Sequence, residues 1–145
     1  MMKILVSACL LGEPCRYDGK SKPSEAIRAL AEQHTLIPIC PEVMGGLSTP
    51  RSPSEIQPDG RVVNREGADV SGNYLRGAEL SLALAREHGC ALAILKEKSP
   101  SCGNREVYDG SFSGKLIPGQ GICARLLEAN GIRVIGESEI GELRW

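Results

Sequence analysis

The chain has 145 residues and a formal net charge of -1, with 41% hydrophobic and 24% charged residues. This near-neutral balance argues against a broad electropositive surface for duplex nucleic acid, although it leaves room for a small anionic ligand. One Phe, three Tyr and one Trp are too few for an aromatic base-stacking platform, so the core must be aliphatic. The length is typical of one domain, and we expect residues 1–145 to form a single domain.

The first predicted element lies in an apolar N-terminal segment. Residues 3–7 read Lys-Ile-Leu-Val-Ser, and the apolar run around them is too short to span a bilayer or to serve as a signal peptide. We therefore expect a buried strand, a cytoplasmic protein and no membrane association. In a reducing compartment, the six cysteines suit metal binding or catalysis better than disulfides.

Strands and helices are predicted to alternate along the rest of the chain. Short apolar runs and helical spacing predict strands at residues 36–39, 91–95 and 132–135 and helices at residues 24–34, 74–88 and 121–130. Residues 41–72, rich in Gly, Pro and Ser, predict a long functional loop. The alternation indicates an α/β fold: one three-layer, Rossmann-like domain with a small, mainly parallel sheet of about four strands and helices on both faces.

Three of the cysteines lie just past predicted strands. Cys9 follows the first strand, Cys40 ends the second, and Cys102 comes shortly after the third. If these strands are parallel neighbours, the three thiols converge at the carboxyl edge of the sheet, where such folds bind ligands, without any CxxC spacing to mark the site. The simpler interpretation is that free cysteines are small buried hydrophobes, and we adopt it for Cys90 and Cys123.

Polar residues near these thiols are candidates for acid–base chemistry. Glu42, two residues after Cys40, could act as a general base beside a metal, although a loop glutamate is more often simply solvated. Ser99 and Ser101 could relay a proton or orient a substrate, or could form only a Ser-Pro turn. Cys15 precedes an arginine that could lower the pKa of its thiol, and its role is open.

A glycine-rich segment opens the last predicted helix. Residues 114–121 read Gly-Lys-Leu-Ile-Pro-Gly-Gln-Gly, and the amides at such a helix N-terminus could bind a phosphate. The segment is not a Walker A sequence, so it does not by itself identify a nucleotide site.

Several motifs, taken in order, resemble those of one known family. They are Val6-Ser-Ala-Cys9-Leu-Leu-Gly12, Cys15-Arg-Tyr-Asp-Gly19, Cys40-Pro-Glu-Val43, Gly45-Gly-Leu47, Thr49-Pro-Arg51, Gly67-Ala-Asp-Val70, Lys96, Ser99-Pro-Ser-Cys-Gly103, Gly114-Lys115 and Pro118-Gly119. Together they resemble the thiouracil desulfidases, or TudS-like proteins, long catalogued as a domain of unknown function. The resemblance runs from about residue 3 to about residue 136, nearly the whole chain.

The resemblance implies a [4Fe-4S] cluster held by only three cysteines, Cys9, Cys40 and Cys102, with one iron open to an exogenous ligand. It implies an enzyme that removes sulfur from small thiolated uracil compounds, such as thiouracil and 4-thiouridine monophosphate, without net redox change. The products would be uracil or uridine monophosphate and hydrosulfide. An iron with an open position is a soft Lewis acid, which suits a thiocarbonyl sulfur.

The same resemblance implies roles for individual residues. Glu42 corresponds to the catalytic acid–base glutamate, and either Ser99 or Ser101 to the catalytic serine, with Ser99 preferred. Further candidates, for orienting that serine or for contacting the phosphate or carbonyl groups of the substrate, are Lys96, Arg51 and Lys115. For the last two, a solvated surface role is the alternative.

Two other functions stay open. The thiols of Cys9, Cys40 and Cys102 could be joined by Cys15 to close a four-thiolate zinc site, in a metal- or nucleotide-binding module without turnover. Alternatively, a cluster enzyme could insert sulfur into tRNA, but the near-neutral charge disfavours a partner that demands many phosphate contacts. We therefore expect no stable binding of nucleic acid.

Overall fold

The computed structural model describes residues 1–143. In chain order the strands and helices are β1 (Lys3–Ser7), α1 (Glu25–Ala29), β2 (Thr35–Ile39), α2 (Pro41–Met44), β3 (Ser54–Ile56), β4 (Val62–Asn64), α3 (Ser71–His88), β5 (Leu92–Leu95), β6 (Glu106–Tyr108), β7 (Leu116–Pro118), α4 (Ile122–Ala129) and β8 (Arg133–Gly136). Short 3₁₀ helices span Ala8–Leu11, Leu30–Glu32 and Glu137–Glu142. The predicted alternation of strands and helices is confirmed, and two hairpins are added to it.

Four strands form a parallel sheet in the order β2-β1-β5-β8. In the middle of the sheet, Val6 of β1 pairs with Pro38 of β2 on one side and with Ile94 of β5 on the other. The bounds of these strands differ from the predicted ones by at most one residue. The expected Rossmann-like α/β fold with a four-stranded parallel sheet is therefore confirmed.

Alternate side chains of the strands pack against different layers of helices. Leu5 belongs to a buried cluster that includes Ala78 of α3 and Leu127 of α4. Its neighbour Ile4 belongs to a second cluster, which includes Ile27 of α1. Because successive side chains of a strand point to opposite faces, each central strand contributes to both clusters. The result is the three-layer arrangement expected from the sequence, with helices on both faces.

The contact between α2 and α3 sets the position of the residues that follow β2. Gly77 of α3 lies against the carbonyl group of Pro41, and a Cβ atom built on Gly77 would overlap that oxygen. Only a glycine permits so close an approach between the two backbones. The contact fixes α2, which begins at Pro41 and has Glu42 in its first turn.

The structure corrects two predictions. Residues 41–72 are not one long loop, because they contain α2 and the antiparallel hairpin of β3 and β4. Strands of three residues give too short an alternating pattern to be recognised in the sequence. The helix predicted at residues 24–34 is shorter, because its second half tightens into the 3₁₀ turn Leu30–Glu32.

The longest helix among the described residues is α3, with 18 residues. It is amphipathic: Ala78, Leu82 and Ala85 are buried, whereas Arg76 and Glu79 are exposed. Within residues 1–143, no helix combines the length and the apolar character needed to cross a membrane.

Candidate functional site

A cavity of about 370 Å³ lies beyond the carboxyl ends of β1, β2 and β5. Its lining includes four cysteines and five other residues that the sequence singled out, namely Cys9, Cys15, Cys40, Cys102, Glu42, Arg51, Lys96, Ser99 and Ser101. Parallel α/β folds bind their ligands at this edge of the sheet. All the predicted site residues except Lys115 therefore line one cavity.

Each of the three predicted ligand thiols comes from a segment that follows a strand. Cys9 lies in the 3₁₀ helix after β1, Cys40 caps α2 directly after β2, and Cys102 lies in the loop after β5. Cys9 and Cys102 are buried, whereas Cys40 and Cys15 are partly exposed. The thiol of Cys15 lies beside those of Cys9 and Cys40. In the part of the chain that the structure describes, the thiols share a cavity wall and do not converge on one metal-ion position.

The surroundings of the Cys15, Cys40 and Cys102 sulfur atoms disfavour the thiolate form. Burial raises the pKa of Cys102 to about 12, and hydrogen bonds from two serine hydroxyls offset this only in part. At Cys15 the hydrogen bond with Cys40 lowers the pKa, but Cys9 and burial raise it to about 11. Contact with Cys15, together with burial, raises the pKa of Cys40 well above its usual value. The thiols of Cys15, Cys40 and Cys102 therefore stay protonated at neutral pH, and binding a metal to any of them must release protons.

Two serine hydroxyls lie within hydrogen-bond distance of the sulfur of Cys102, and that of Ser101 divides its one hydrogen between this sulfur and Glu42. Ser7 Oγ lies 3.3 Å from it and Ser101 Oγ lies 3.5 Å from it. The Ser7 hydroxyl also accepts a hydrogen bond from the backbone N–H of Lys96 at 2.9 Å, which ties β1 to the end of β5. Donors of this kind stabilise a metal-bound sulfur, because they draw negative charge from it.

Glu42 lies between an arginine and a serine. Its Oε1 accepts a hydrogen bond from Arg51 Nε at 3.0 Å, and its Oε2 accepts one from Ser101 Oγ at 3.1 Å. The side chains of Glu42 and Arg51 are only 14% and 8% exposed, so their ion pair is shielded from solvent. Arg51 also donates to the carbonyl group of Cys15 at 2.9 Å. The Arg51 guanidinium thus positions both the carboxylate of Glu42 and the backbone at Cys15.

The loop that carries the two other candidate residues is held by the start of α4. Backbone N–H groups of this helix, including that of Cys123 at 2.8 Å, donate to the carbonyl group of Ser101. Within the loop, the Ser99 hydroxyl accepts hydrogen bonds from the N–H groups of Ser101 and Cys102 at 3.1 Å. It also lies 2.9 Å from the Ser101 hydroxyl. A continuous chain of hydrogen bonds therefore leads from Ser99 through Ser101 to Glu42.

The glycine-rich segment before α4 does not form the phosphate site that its sequence suggests. The first amides of the helix donate to the carbonyl groups of Pro100 and Ser101, so they are not free to bind a ligand. Lys115 is exposed and lies outside the set of residues that line the cavity. Lys96 does line the cavity, but its ammonium group pairs with Glu137 at 2.9 Å. The positive charge of Lys96 at the cavity is therefore already neutralised by Glu137.

Tyr74 is a cavity residue that sequence reasoning missed. It comes from α3, is 1% exposed, and lies close to the carboxylate of Glu42. Burial, together with that carboxylate, raises the pKa of Tyr74 above its usual value. The phenol therefore stays protonated and is a further donor beside Glu42. Its apolar surroundings in the helix give no local sign of this role.

Cationic and aromatic side chains also gather at the cavity. Arg16, Arg65 and Lys98 line the cavity. None of the three has a carboxylate within 4.0 Å in the described residues 1–143. Four of the five aromatic residues of the sequence line the cavity, namely Tyr17, Tyr74, Tyr108 and Phe112. The fifth, Trp145, lies outside the described residues. Low aromatic content therefore does not mean an aliphatic site. The fold and the cavity define a Rossmann-like α/β protein with a thiol-rich site, built around a shielded carboxylate, at the carboxyl edge of its sheet.

Comparisons with known proteins identify the family. The sequence profile described as 2-thiouracil desulfurase matches residues 4–139. The uncharacterised protein YbbK of Bacillus subtilis (strain 168) is 44% identical over 149 residues, which cover 97% of this chain and 99% of YbbK. The solved structure of TudS, a [4Fe-4S]-dependent thiouracil desulfidase, is 47% identical, with a TM-score of 0.93 over 99% of this chain and 95% of that one. The chain belongs to the 2-thiouracil desulfurase family, and the resemblance found in its motifs is confirmed.

Proposed function

We propose that residues 1–145 act as one desulfidase domain that converts thiolated uracil compounds, such as thiouracil and 4-thiouridine monophosphate, to uracil or uridine monophosphate and hydrosulfide. The proposed cofactor is a [4Fe-4S] cluster held by Cys9, Cys40 and Cys102, with one open iron. The observation that carries the proposal is the single cavity lined by these thiols and by the hydrogen-bonded pair of Glu42 and Ser101. Family membership and the description of the TudS neighbour support the same activity.

The residues of the cavity suit an iron–sulfur cluster. Cysteine thiolates are the usual ligands of such clusters, and the cavity cysteines form no disulfide. Two hydroxyl donors already lie within hydrogen-bond distance of the Cys102 sulfur. When the cluster is bound, its open iron supplies a soft Lewis acid for the thiocarbonyl sulfur of the substrate.

Glu42 is the proposed general base. Because Arg51 holds Oε1, the oxygen left to take a proton from the attacking water is Oε2, which also accepts the Ser101 hydroxyl. The proton can pass on through the Ser101 hydroxyl to the leaving sulfur, which departs as hydrosulfide. The Ser99 hydroxyl, 2.9 Å away, orients Ser101. Arg51, predicted to contact substrate, has its guanidinium occupied by Glu42 and by backbone carbonyls, so we assign it the orientation of the carboxylate.

The unpartnered cations favour a nucleotide over a free base. Arg16, Arg65 and Lys98 line the cavity, and none has a carboxylate within 4.0 Å in the described part of the chain. A phosphate monoester would neutralise them through charge-assisted hydrogen bonds. We therefore expect 4-thiouridine monophosphate to have a lower KM than thiouracil. Contact of Lys96 or Lys115 with the substrate stays a prediction.

The position of Cys15 supports a second candidate function. Its thiol lies beside those of Cys9 and Cys40, so a fourth thiolate could close a zinc site and leave no open position for catalysis. Cys15→Ser separates the two candidates. A zinc site would lose its metal in this variant, whereas a cluster on three cysteines would keep its iron.

Turnover by oxygen-free, reconstituted protein tests the proposed function. The protein is incubated with 4-thiouridine monophosphate, and separately with thiouracil, without added reductant or oxidant. We expect uridine monophosphate or uracil and hydrosulfide to appear in equal amounts, because the reaction is a hydrolysis. Fully loaded protein that releases no hydrosulfide from either compound would contradict the proposal.

The two serines are predicted to differ in their effect on turnover. Ser101 contacts Glu42 directly, whereas Ser99 reaches it only through Ser101, which favours Ser101 for the direct proton transfer. Ser101→Ala is expected to lower kcat about 100-fold and Ser99→Ala by less, with the cluster retained in both. Ser113→Ala, at an exposed position, is the matched control. A larger loss in Ser99→Ala than in Ser101→Ala would reverse the two assignments.

A further inference from the structure

Phe112, the only phenylalanine of the chain, is held at the cavity in an unfavourable backbone conformation. Its φ is 56°, in the left-handed region that residues other than glycine keep only where their surroundings hold them. It lies in the connection between β6 and β7 and lines the cavity. Conformations of this kind cluster at ligand-binding sites, so Phe112 is a candidate ligand-binding residue.

A buried carboxylate on the neighbouring hairpin holds this connection. Glu55 of β3, 9% exposed, accepts hydrogen bonds through Oε1 from the backbone N–H groups of Gly110 at 3.0 Å and Phe112 at 3.1 Å. Gly110 has a φ of 97°, and a Cβ atom on it would lie 2.9 Å from the carbonyl oxygen of Ile56. Gln57 Nε2 donates to the Gly110 carbonyl group at 3.2 Å. The position of Phe112 is therefore set by β3, a segment remote in sequence.

Arg65 accompanies the aromatic ring. Its guanidinium carbon lies 5.8 Å from the centroid of the Phe112 ring, within the range of a cation–π contact. No carboxylate lies within 4.0 Å of Arg65 in residues 1–143. A guanidinium over one face of the ring, with no carboxylate of its own, suits a planar base on the other face and the phosphate that this base carries.

We propose that Phe112 is a specificity-determining residue against which the pyrimidine ring of the substrate stacks, and that Glu55 is the positioning residue that holds it there. Arg65 binds the phosphate of the same nucleotide. This inference rests on the proposed function and identifies its binding surface. Because stacking acts equally on bound substrate and on the transition state, loss of the ring raises KM and leaves kcat nearly unchanged.

Calorimetric titration of the cluster-loaded enzyme with uridine monophosphate tests the stacking without turnover. Phe112→Leu keeps the apolar side chain but lacks the aromatic face, and it is expected to weaken binding roughly tenfold. Phe112→Tyr keeps the ring and is expected to stay within about twofold of the wild type. Steady-state kinetics with 4-thiouridine monophosphate should show the same loss in KM.

Variants of Glu55 test its positioning role. Glu55→Ala removes the acceptor and should weaken binding about as much as Phe112→Leu, whereas Glu55→Gln keeps an oxygen that can accept both N–H groups and should weaken it less. The double variant Glu55→Ala/Phe112→Leu should bind no more weakly than Phe112→Leu alone, because the two residues act as one unit.

Ile117→Ala is the matched control, since Ile117 is an exposed residue of the same hairpin and lies outside the cavity. Iron content is measured for every variant first. The inference is overturned if loaded Phe112→Leu binds uridine monophosphate as well as the wild type, if Phe112→Tyr binds as weakly as Phe112→Leu, or if Phe112→Leu no longer loads the cluster. If instead the wild type releases no hydrosulfide, the proposed function fails, while a loss of affinity in Phe112→Leu would still support the stacking surface.

Discussion

Glu42→Gln is expected to lower kcat about 10²- to 10⁴-fold while cluster content stays unchanged. The glutamine side chain has the size of the glutamate and keeps an oxygen that can accept the hydrogen bond from Arg51, now 3.0 Å long. It cannot take a proton from the attacking water, so the step assigned to Oε2 is lost. Hydrosulfide release from 4-thiouridine monophosphate and iron content, measured on one sample, check both halves of the expectation.

The matched control for this variant is Glu79→Gln. Glu79 lies at an exposed position on α3 and does not line the cavity, so the same chemical change there should leave turnover and iron content at wild-type values. A Glu42→Gln enzyme that turns over 4-thiouridine monophosphate at the wild-type rate would show that the carboxylate is not the base. A Glu42→Gln enzyme that loses its iron would make Glu42 part of the metal site instead.

Replacement of Cys9, Cys40 or Cys102 by alanine is expected to abolish cluster binding, and with it all turnover. A cluster held by three thiolates has no ligand to spare, because its remaining iron is the one that must stay open. Each variant is reconstituted without oxygen, and its iron, its acid-labile sulfide and its visible absorption are compared with those of the wild type.

Cys90→Ala and Cys123→Ala are the controls for the ligand variants. Both residues are buried cysteines, 7% and 0% exposed, and both lie in the aliphatic core cluster. We expect the two variants to keep the cluster, with Cys123→Ala destabilised by about 1 kcal/mol because the lost sulfur leaves a small cavity. Burial, and after it the nearby Cys102, raises the pKa of the Cys123 thiol. Because Cys123 lies this near a proposed ligand, it is the stricter control. Loss of the cluster in either variant would contradict the ligand assignment.

The sheet and the position of the thiols could be predicted from the sequence because local signals mark them. Residues 3–7 form an apolar run bounded by polar positions, and β1 has these bounds. Cys9 and Cys40 lie within two residues of the ends of β1 and β2, so the parallel topology alone brings them to one edge of the sheet. The core role of Cys90 follows from its apolar neighbours in the same way.

The polar contacts of the site could not be predicted in this way, because they join segments that are distant in sequence. Glu42 and Ser101 are 59 positions apart, and Glu55 and Phe112 are 57 positions apart. Each of these pairs depends on the packing of two separate segments, and strands of three residues leave no recognisable pattern in the sequence. The same holds for Tyr74, which lies close to the carboxylate of Glu42 but belongs to a helix whose sequence is typical of ordinary core.

The most direct test of the account is the iron and acid-labile sulfide content of Cys15→Ser, reconstituted without oxygen beside the wild type. A [4Fe-4S] cluster on Cys9, Cys40 and Cys102 predicts about four iron and about four sulfide per chain in both proteins. The open iron would then be available to substrate whether or not the fourth thiol is present. Zinc without labile sulfide in the wild type, lost on replacement of Cys15, would contradict the account and establish a closed structural site.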